Sequence, residues 1–277
     1  MTFTDCCAAA RPEQRGLVDH GEELIPVDEQ AFYDLRWNTE GVVTDRERNR
    51  VSVTADAIPV DCESVLDVGA GNGMLSLAVA KKGKSVTAVD FSEVALSKAS
   101  VPTLCRSADN LAGVEDRSYD LVLSTEMLEH LDEATYRGAL REFNRVARRA
   151  ILITVPNREL FREHLGMCGD CGTLFHIWGH QRRFTPADLR SLFPDFAPAS
   201  ISCFGQTLPR YNRALLWVRT AMAKAWFIDD RSPCPKCHSF RPAQPKYSGL
   251  ARLCDLVNSN LPKVRYEPWL MALYRRR

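Results

Sequence analysis

Val65-Leu66-Asp67-Val68-Gly69-Ala70-Gly71-Asn72-Gly73 decides the fold. An apolar run that ends in an acid and then in three alternating glycines describes a buried strand turning sharply into a helix. Glycines at such a turn let the backbone approach a ligand where a Cβ would collide. Asp67, at the strand end, can accept hydrogen bonds from a ligand's ammonium or hydroxyl groups. The dinucleotide-binding spacing would need its last glycine where Met74 stands, which argues against a nicotinamide-type site.

Outward from this turn, short apolar runs alternate with amphipathic stretches. Strands are expected at Ser64–Val68, Ser85–Val89, Thr103–Arg106, Tyr119–Ser124 and Ala150–Val155. Between them the pattern predicts helices over Asn72–Lys82, Ser92–Ser100 (with Ser92 as the cap) and Asp132–Arg148. That order means βαβ units and a parallel sheet. The second strand ends at Asp90, 17 residues after Gly73, where a carboxylate can take both hydroxyls of a ribose. Ser107-Ala108-Asp109-Asn110-Leu111 follows the third strand, with Asp109 placed for an adenine amino group.

After Pro156 the regularity loosens. A helix is expected at Ala187–Leu192, a strand at Ile201–Phe204, an apolar helix at Asn212–Phe227, loop over 229–247, a helix at Leu250–Leu261 and a last strand at Trp269–Tyr274. The expected organisation is a helical lead-in or cap over residues 1–60 and one α/β domain over 61–277. Segments 157–184 and 206–265 would form a substrate-side lid, the second as a Cys-rich insertion of roughly 60 residues before the last strand.

These motifs resemble those of the class I S-adenosylmethionine-dependent methyltransferases, over about residues 60–155 and more loosely beyond. The resemblance implies a Rossmann-like seven-stranded sheet whose last strand, Trp269–Tyr274, runs antiparallel. It also implies S-adenosylmethionine as cofactor. Asp67, Gly69, Ala70, Gly71 and Gly73 would hold its methionine end and sulfonium, Asp90 and Phe91 its ribose, and Asp109, Asn110 and Leu111 its adenine, with Glu126 lining the pocket.

Composition bounds the alternatives. The chain has 277 residues, 45% hydrophobic and 26% charged, enough apolar surface to offset the entropy of ordering. No apolar run reaches the roughly 18 residues of a membrane span, and the start MTFTDCCAAARPEQR lacks the basic-then-apolar pattern of a secretory signal. A cytoplasmic protein is expected. The net charge of +1 hides an asymmetry: residues 1–60 hold 12 acidic and 6 basic side chains, residues 161–277 hold 8 and 18. The basic part either meets something anionic or balances the acidic part.

Methyl transfer needs an aligned acceptor and sometimes a base. Glu126, Glu129 and His130 follow the fourth strand, and on a helix their spacing would share one face. His176 and His180 lie in the loop after the fifth. The candidate bases are His130, His176 and His180. Glu126, Glu129 and His130 could hold Mg²⁺ or Mn²⁺. The set is similar to that of the small-RNA 3′-terminal ribose methyltransferases, and the ubiquinone-pathway O-methyltransferases carry a comparable Glu-Met-Leu-Glu-His.

Ten cysteines in such a chain are not a disulfide framework. Cys168-Gly-Asp-Cys171 and Cys234-Pro-Lys-Cys237 each form a chelating turn, and together supply the four thiolates of a structural zinc, although 63 positions separate Cys171 from Cys234. Arg182, Arg183, Arg210 and Arg213 could grip an anionic acceptor. The expected activity is methylation of a small or medium acceptor of saccharide, lipid or natural-product type, on oxygen. A terminal-ribose RNA methyltransferase, a nucleotide-dependent oxidoreductase and a catalytically silent scaffold are the alternatives.

Overall fold

A computed structural model describes residues 29–38, 43–245 and 247–277. Most of the expected lead-in, with Cys6 and Cys7, lies outside the described residues. Within it stand α1 (Glu29–Asn38) and α2 (Asp45–Asp56). Thr44 and Glu47 close a reciprocal cap on α2, each side chain accepting from the other's backbone N–H.

The five parallel strands follow as expected: β1 (Ser64–Val68), β2 (Ser85–Asp90), β3 (Thr103–Cys105), β4 (Tyr119–Thr125) and β5 (Ala147–Pro156). Their helices are α3 (Met74–Ala80), α4 (Glu93–Leu96) and α5 (Glu133–Val146). Ser92 caps α4 through the Ala95 N–H, and Asp132 caps α5 through those of Ala134 and Thr135. α4 is a single turn rather than the nine residues expected, its continuation replaced by turns that reach β3.

Beyond β5 come the hairpin β6 (Leu165–Met167) and β7 (Leu174–His176), the long strand β8 (Phe196–Phe204), β9 (Leu208–Pro209), β10 (Arg265–Tyr266) and β11 (Trp269–Arg276). The main sheet has the order β3-β2-β1-β4-β5-β11-β8, with β11 antiparallel to both neighbours. The seven-stranded sheet is therefore as expected. β9 and β10 pair as a separate ribbon.

Alternation along the strands builds two cores. Leu66, Val122, Ile151 and Leu270 face Phe143 and Val146 of α5, while Val65, Leu121, Leu152 and Met271 face α2 and α3. Two helix expectations fail. Ala187–Leu192 is a short 3₁₀ turn, Asp188–Ser191. The apolar helix stops early: α6 (Arg213–Trp217) passes into a π turn, Val218–Met222, and ends there. The last helix, α7 (Gly249–Asn260), is close to its expected bounds.

Candidate active site

The carboxyl ends of the parallel strands form the crevice where ligands bind in such sheets. Gly69, Gly71 and Gly73 all have positive φ (76°, 56° and 72°), which glycine adopts at least cost. Two backbone bonds from Gly69 and Ala70 to the Val89 carbonyl tie the turn to β2. Asp67 is buried, with Oδ2 accepting from the Ser76 hydroxyl at 2.5 Å and Oδ1 unpartnered. Burial raises its carboxyl to about 6, against the Ser76 bond that lowers it. Asp90 accepts from the Gly71 N–H at 2.8 Å and the Ser92 N–H at 3.0 Å, so its carboxylate faces the glycine turn.

α1 closes over this crevice. A Cβ on Gly71 would meet the Trp37 indole at 2.6 Å. Tyr33 packs edge-on against Phe91, with ring centroids 6.0 Å apart. Neither aromatic was singled out for the site from sequence, because an isolated Tyr or Trp on a polar helix carries no motif. Asp109 and Asn110 are exposed on the loop after β3, with the Asp109 Cβ packed where a side chain on Gly138 of α5 would stand. Leu111 is wholly buried in the core, its N–H donating to Glu142 at 2.9 Å.

The chain after β4 is not helical. Glu126 takes a left-handed φ of 51° and residues 128–130 form a turn, so the three side chains do not share a helix face. Instead Glu126 accepts from the Thr154 hydroxyl at 3.2 Å, while Glu129 is fully buried with both oxygens unpartnered. Burial raises both carboxyls, Glu129 well above the ordinary range and further because Glu126 lies nearby.

The segment carrying His176 and His180 folds onto this turn. Gln181 and Arg182 donate their backbone N–H to the Glu129 carbonyl at 2.8 and 3.0 Å. Three histidines, 164, 176 and 180, thereby face Glu159, and His130 stands beside His180 with ring centroids 4.7 Å apart. His180 Nδ1 lies 2.5 Å from Glu159 Oε2, His176 Nε2 3.4 Å and His164 Nε2 3.8 Å from Oε1. His130 Nδ1 meets the Tyr33 hydroxyl at 2.5 Å. Burial would raise the Glu159 carboxyl, but His180 and His176 hold it well below the usual carboxylate range. Burial lowers His130, His176 and His164, the last to about 4. His176 Nδ1 accepts from the N–H groups of Trp178 and His180, so its proton sits on Nε2 toward Glu159. Sequence reading missed Glu159 and His164: a single acid past a strand end gives no spacing signal until the histidine loop folds back.

Among the described residues, two histidine–carboxylate groups have ligand atoms within 4.8 Å of one another: Glu129, His130 and His180, and Glu159, His176 and His180. Glu126 belongs to neither, so the expected Glu126, Glu129 and His130 set is not the one brought together. The four cysteines do converge. Sγ atoms lie 3.5 Å apart for Cys168 and Cys237 and 3.6 Å for Cys171 and Cys234, and all four are within 4.8 Å. Gly172 and His238, each just after a CxxC pair, share a left-handed turn (φ 70° and 59°), so both knuckles fold alike. Thiolate sulfurs 2.3 Å from a tetrahedral zinc stand at about this separation, so the donor set fits that ion.

Of the arginines, Arg182 stacks 3.9 Å over Tyr136 and pairs with Glu133 at 2.9 Å. Arg210 donates to the Arg158 carbonyl at 2.5 Å and covers Tyr266 at 4.0 Å. Both are engaged within the fold.

Residues 66–153 match a family model described as a methyltransferase domain. A ubiquinone biosynthesis O-methyltransferase of Idiomarina loihiensis is 39% identical over 80 residues, 26% of this chain and 33% of that protein. The chain thus spans about a third of the length of the curated relatives it matches. A solved Pyrococcus horikoshii protein superposes with a TM-score of 0.54 at 14% identity, covering 87% of this chain and 98% of that one. A Haloferax volcanii chain, from a complex with the Trm112 methyltransferase activator, gives 0.52 at 16% identity over 89% and 93%. At such identities the two structures speak for the fold. Residues 66–153 are thus similar to a methyltransferase domain, and the chain as a whole shares the fold of these two solved structures.

Proposed function

We propose that the protein transfers the methyl group of S-adenosylmethionine to a hydroxyl of a small or medium acceptor of saccharide, lipid or natural-product type. The observation that carries this reading is the buried His180–Glu159 pair, joined through His130 and Tyr33 to Phe91, the residue after Asp90. The unpartnered Asp67 Oδ1 fits a cationic or hydroxyl group of the cofactor, and Asp90 faces the place of its ribose. Ala70 and Phe91 would flank it, with Asp109, Asn110 and Leu111 at the adenine side.

Transfer from a sulfonium to an alcohol is an in-line displacement: the C–S bond breaks as the C–O bond forms, and the hydroxyl proton must leave. Glu159, bonded to His180 Nδ1, fixes the tautomer that leaves Nε2 as the acceptor of that proton. His130, steadied by Tyr33, stands beside it with ring centroids 4.7 Å apart. His176 stacks on His180 at 4.6 Å and acts as a positioning residue. Segments 157–184 and 206–265 are the lid, stapled by a zinc ion on Cys168, Cys171, Cys234 and Cys237.

A second reading has an observation of its own. Two unpartnered oxygens on a fully buried Glu129 are costly without a counter-charge. Tyr33 and Glu159 occupy the Nδ1 atoms of His130 and His180, as groups behind metal-bound histidines do. Glu129, His130 and His180 would then hold a divalent ion such as Mn²⁺ or Mg²⁺, which when bound would acidify the acceptor hydroxyl.

Purified protein with methyl-labelled cofactor and fractionated cell extract tests both. Label in small metabolites or lipids supports the proposal; label in RNA moves the acceptor to the terminal-ribose class, and no transfer with intact cofactor binding leaves a silent scaffold. Loss of activity on chelation with recovery on adding Mn²⁺ or Mg²⁺, at unchanged zinc content, selects the metal reading over the bare base.

A further inference from the structure

α7 is built inside out. Its buried positions are Ala251, Cys254 and Asn258, whereas Leu253 is 54% and Leu256 62% exposed, with Leu250 and Val257 also exposed. The spacing 250, 253, 256/257 puts the large apolar side chains on one outward stripe. A helix finished in water would place those leucines inward. α7 packs on α6 and on the π turn, and these neighbours expose Trp217 and Met222 in turn.

The same segment is strongly basic. Residues 206–265 contain eleven Lys and Arg against three Asp and Glu, a net +8. Two of the three acids are already paired, Asp255 with Arg219 at 3.0 Å and Asp229 with Arg231 at 3.5 Å. Arg213, Lys224 and Arg252 are exposed on or beside the elements that carry the apolar stripe. A cavity of about 400 Å³, lined in part by Leu216, Trp226, Phe227 and Ile228, adjoins it. The Phe227 ring lies 6.4 Å from His164, at the edge of the histidine cluster.

We propose that residues 206–265 seat the protein on a lipid bilayer bearing anionic headgroups, with the α7 stripe in the interface and the surrounding cations on the headgroups. An apolar face ringed by Lys and Arg is the pattern that binds such surfaces. A second copy of this chain would set +8 against +8, and a nucleic acid would leave the leucines uncovered. Among the described residues no helix is long and apolar enough to cross a membrane. The proposal deepens the lid reading of this segment, and it is tested by binding alone, so it stands or falls apart from methyl transfer.

The full chain is sedimented with phosphatidylcholine vesicles with and without phosphatidylglycerol, at low and high salt. Expected is binding to the anionic vesicles only, falling at least about tenfold in high salt. The double variant Leu253→Ser/Leu256→Ser is expected to weaken it about tenfold or more. Its melting temperature and zinc content should stay unchanged, because both side chains already face solvent. A Trp217→Phe variant should remove the blue shift in fluorescence that vesicles cause. Absence of vesicle binding, or binding indifferent to the two leucines, overturns the proposal. So does a stable dimer in sedimentation equilibrium that the double variant dissociates, or tighter retention on RNA than on vesicles.

Discussion

Single side chains set the charge of the crevice. Asp90→Ala removes the carboxylate that faces the glycine turn and should weaken cofactor binding at least about tenfold by calorimetry, since hydrogen bonds to a charged group contribute about 1.5–3 kcal/mol. Asp67 adds a pH dependence of definite sign. Its folded carboxyl titrates near 6, above the usual 3.8, so its burial favours the fold at low pH. That contribution is lost as pH rises from about 4 through 6, leaving a buried anion. A cationic group of the cofactor would compensate the anion. Saturating cofactor should therefore raise the melting temperature more at pH 7.5 than at pH 5, and equal shifts would remove Asp67 from the binding site. Glu159→Gln keeps the shape but loses the charge at His180 Nδ1. It should lower kcat at least about tenfold while cofactor affinity and zinc content hold, because general-base assistance contributes about 10²–10⁴-fold.

Among the elements, the β6–β7 hairpin joins two chemistries. Cys168 and Cys171 sit at its tip, and Leu165 pairs with His176 at its base, beside His164. Cys171→Ser and Cys237→Ser should each lower zinc from one ion per chain, measured by elemental analysis, and should loosen the histidine loop with it. Zinc-free unmutated protein, purified without chelator, would refute the clamp. The strands, the glycine turn and both knuckles were legible in sequence, because alternation, glycine spacing and CxxC are local signals. The histidine cluster was only half legible. Glu159 and Tyr33 come from segments far apart in the chain, and only packing brings them to His180 and His130. The apolar helix over 212–227 was misread because composition does not show where a helix gives way to a π turn.

Across the whole molecule, α1 links the glycine turn to the segments that follow β5. Trp37 packs over Gly71 and Tyr33 against Phe91, while the Arg36 guanidinium donates to the Ile177 carbonyl at 3.2 Å within electrostatic reach of Asp229. Gly71→Ala would drive a methyl into Trp37 at 2.6 Å from a left-handed backbone. It should lower the melting temperature and loosen the α1 cover together, which protease cleavage within α1 would report.

The strand β11 lies between β5 and β8 rather than at an edge. During synthesis, then, both of those strands wait with open backbone groups until residues 269–276 leave the ribosome, and nothing upstream can close the sheet for them. Over that interval the edges of β5 and β8 are open to capture by other strands, so yield in cells should depend on chaperones more than the stability of the finished fold would suggest.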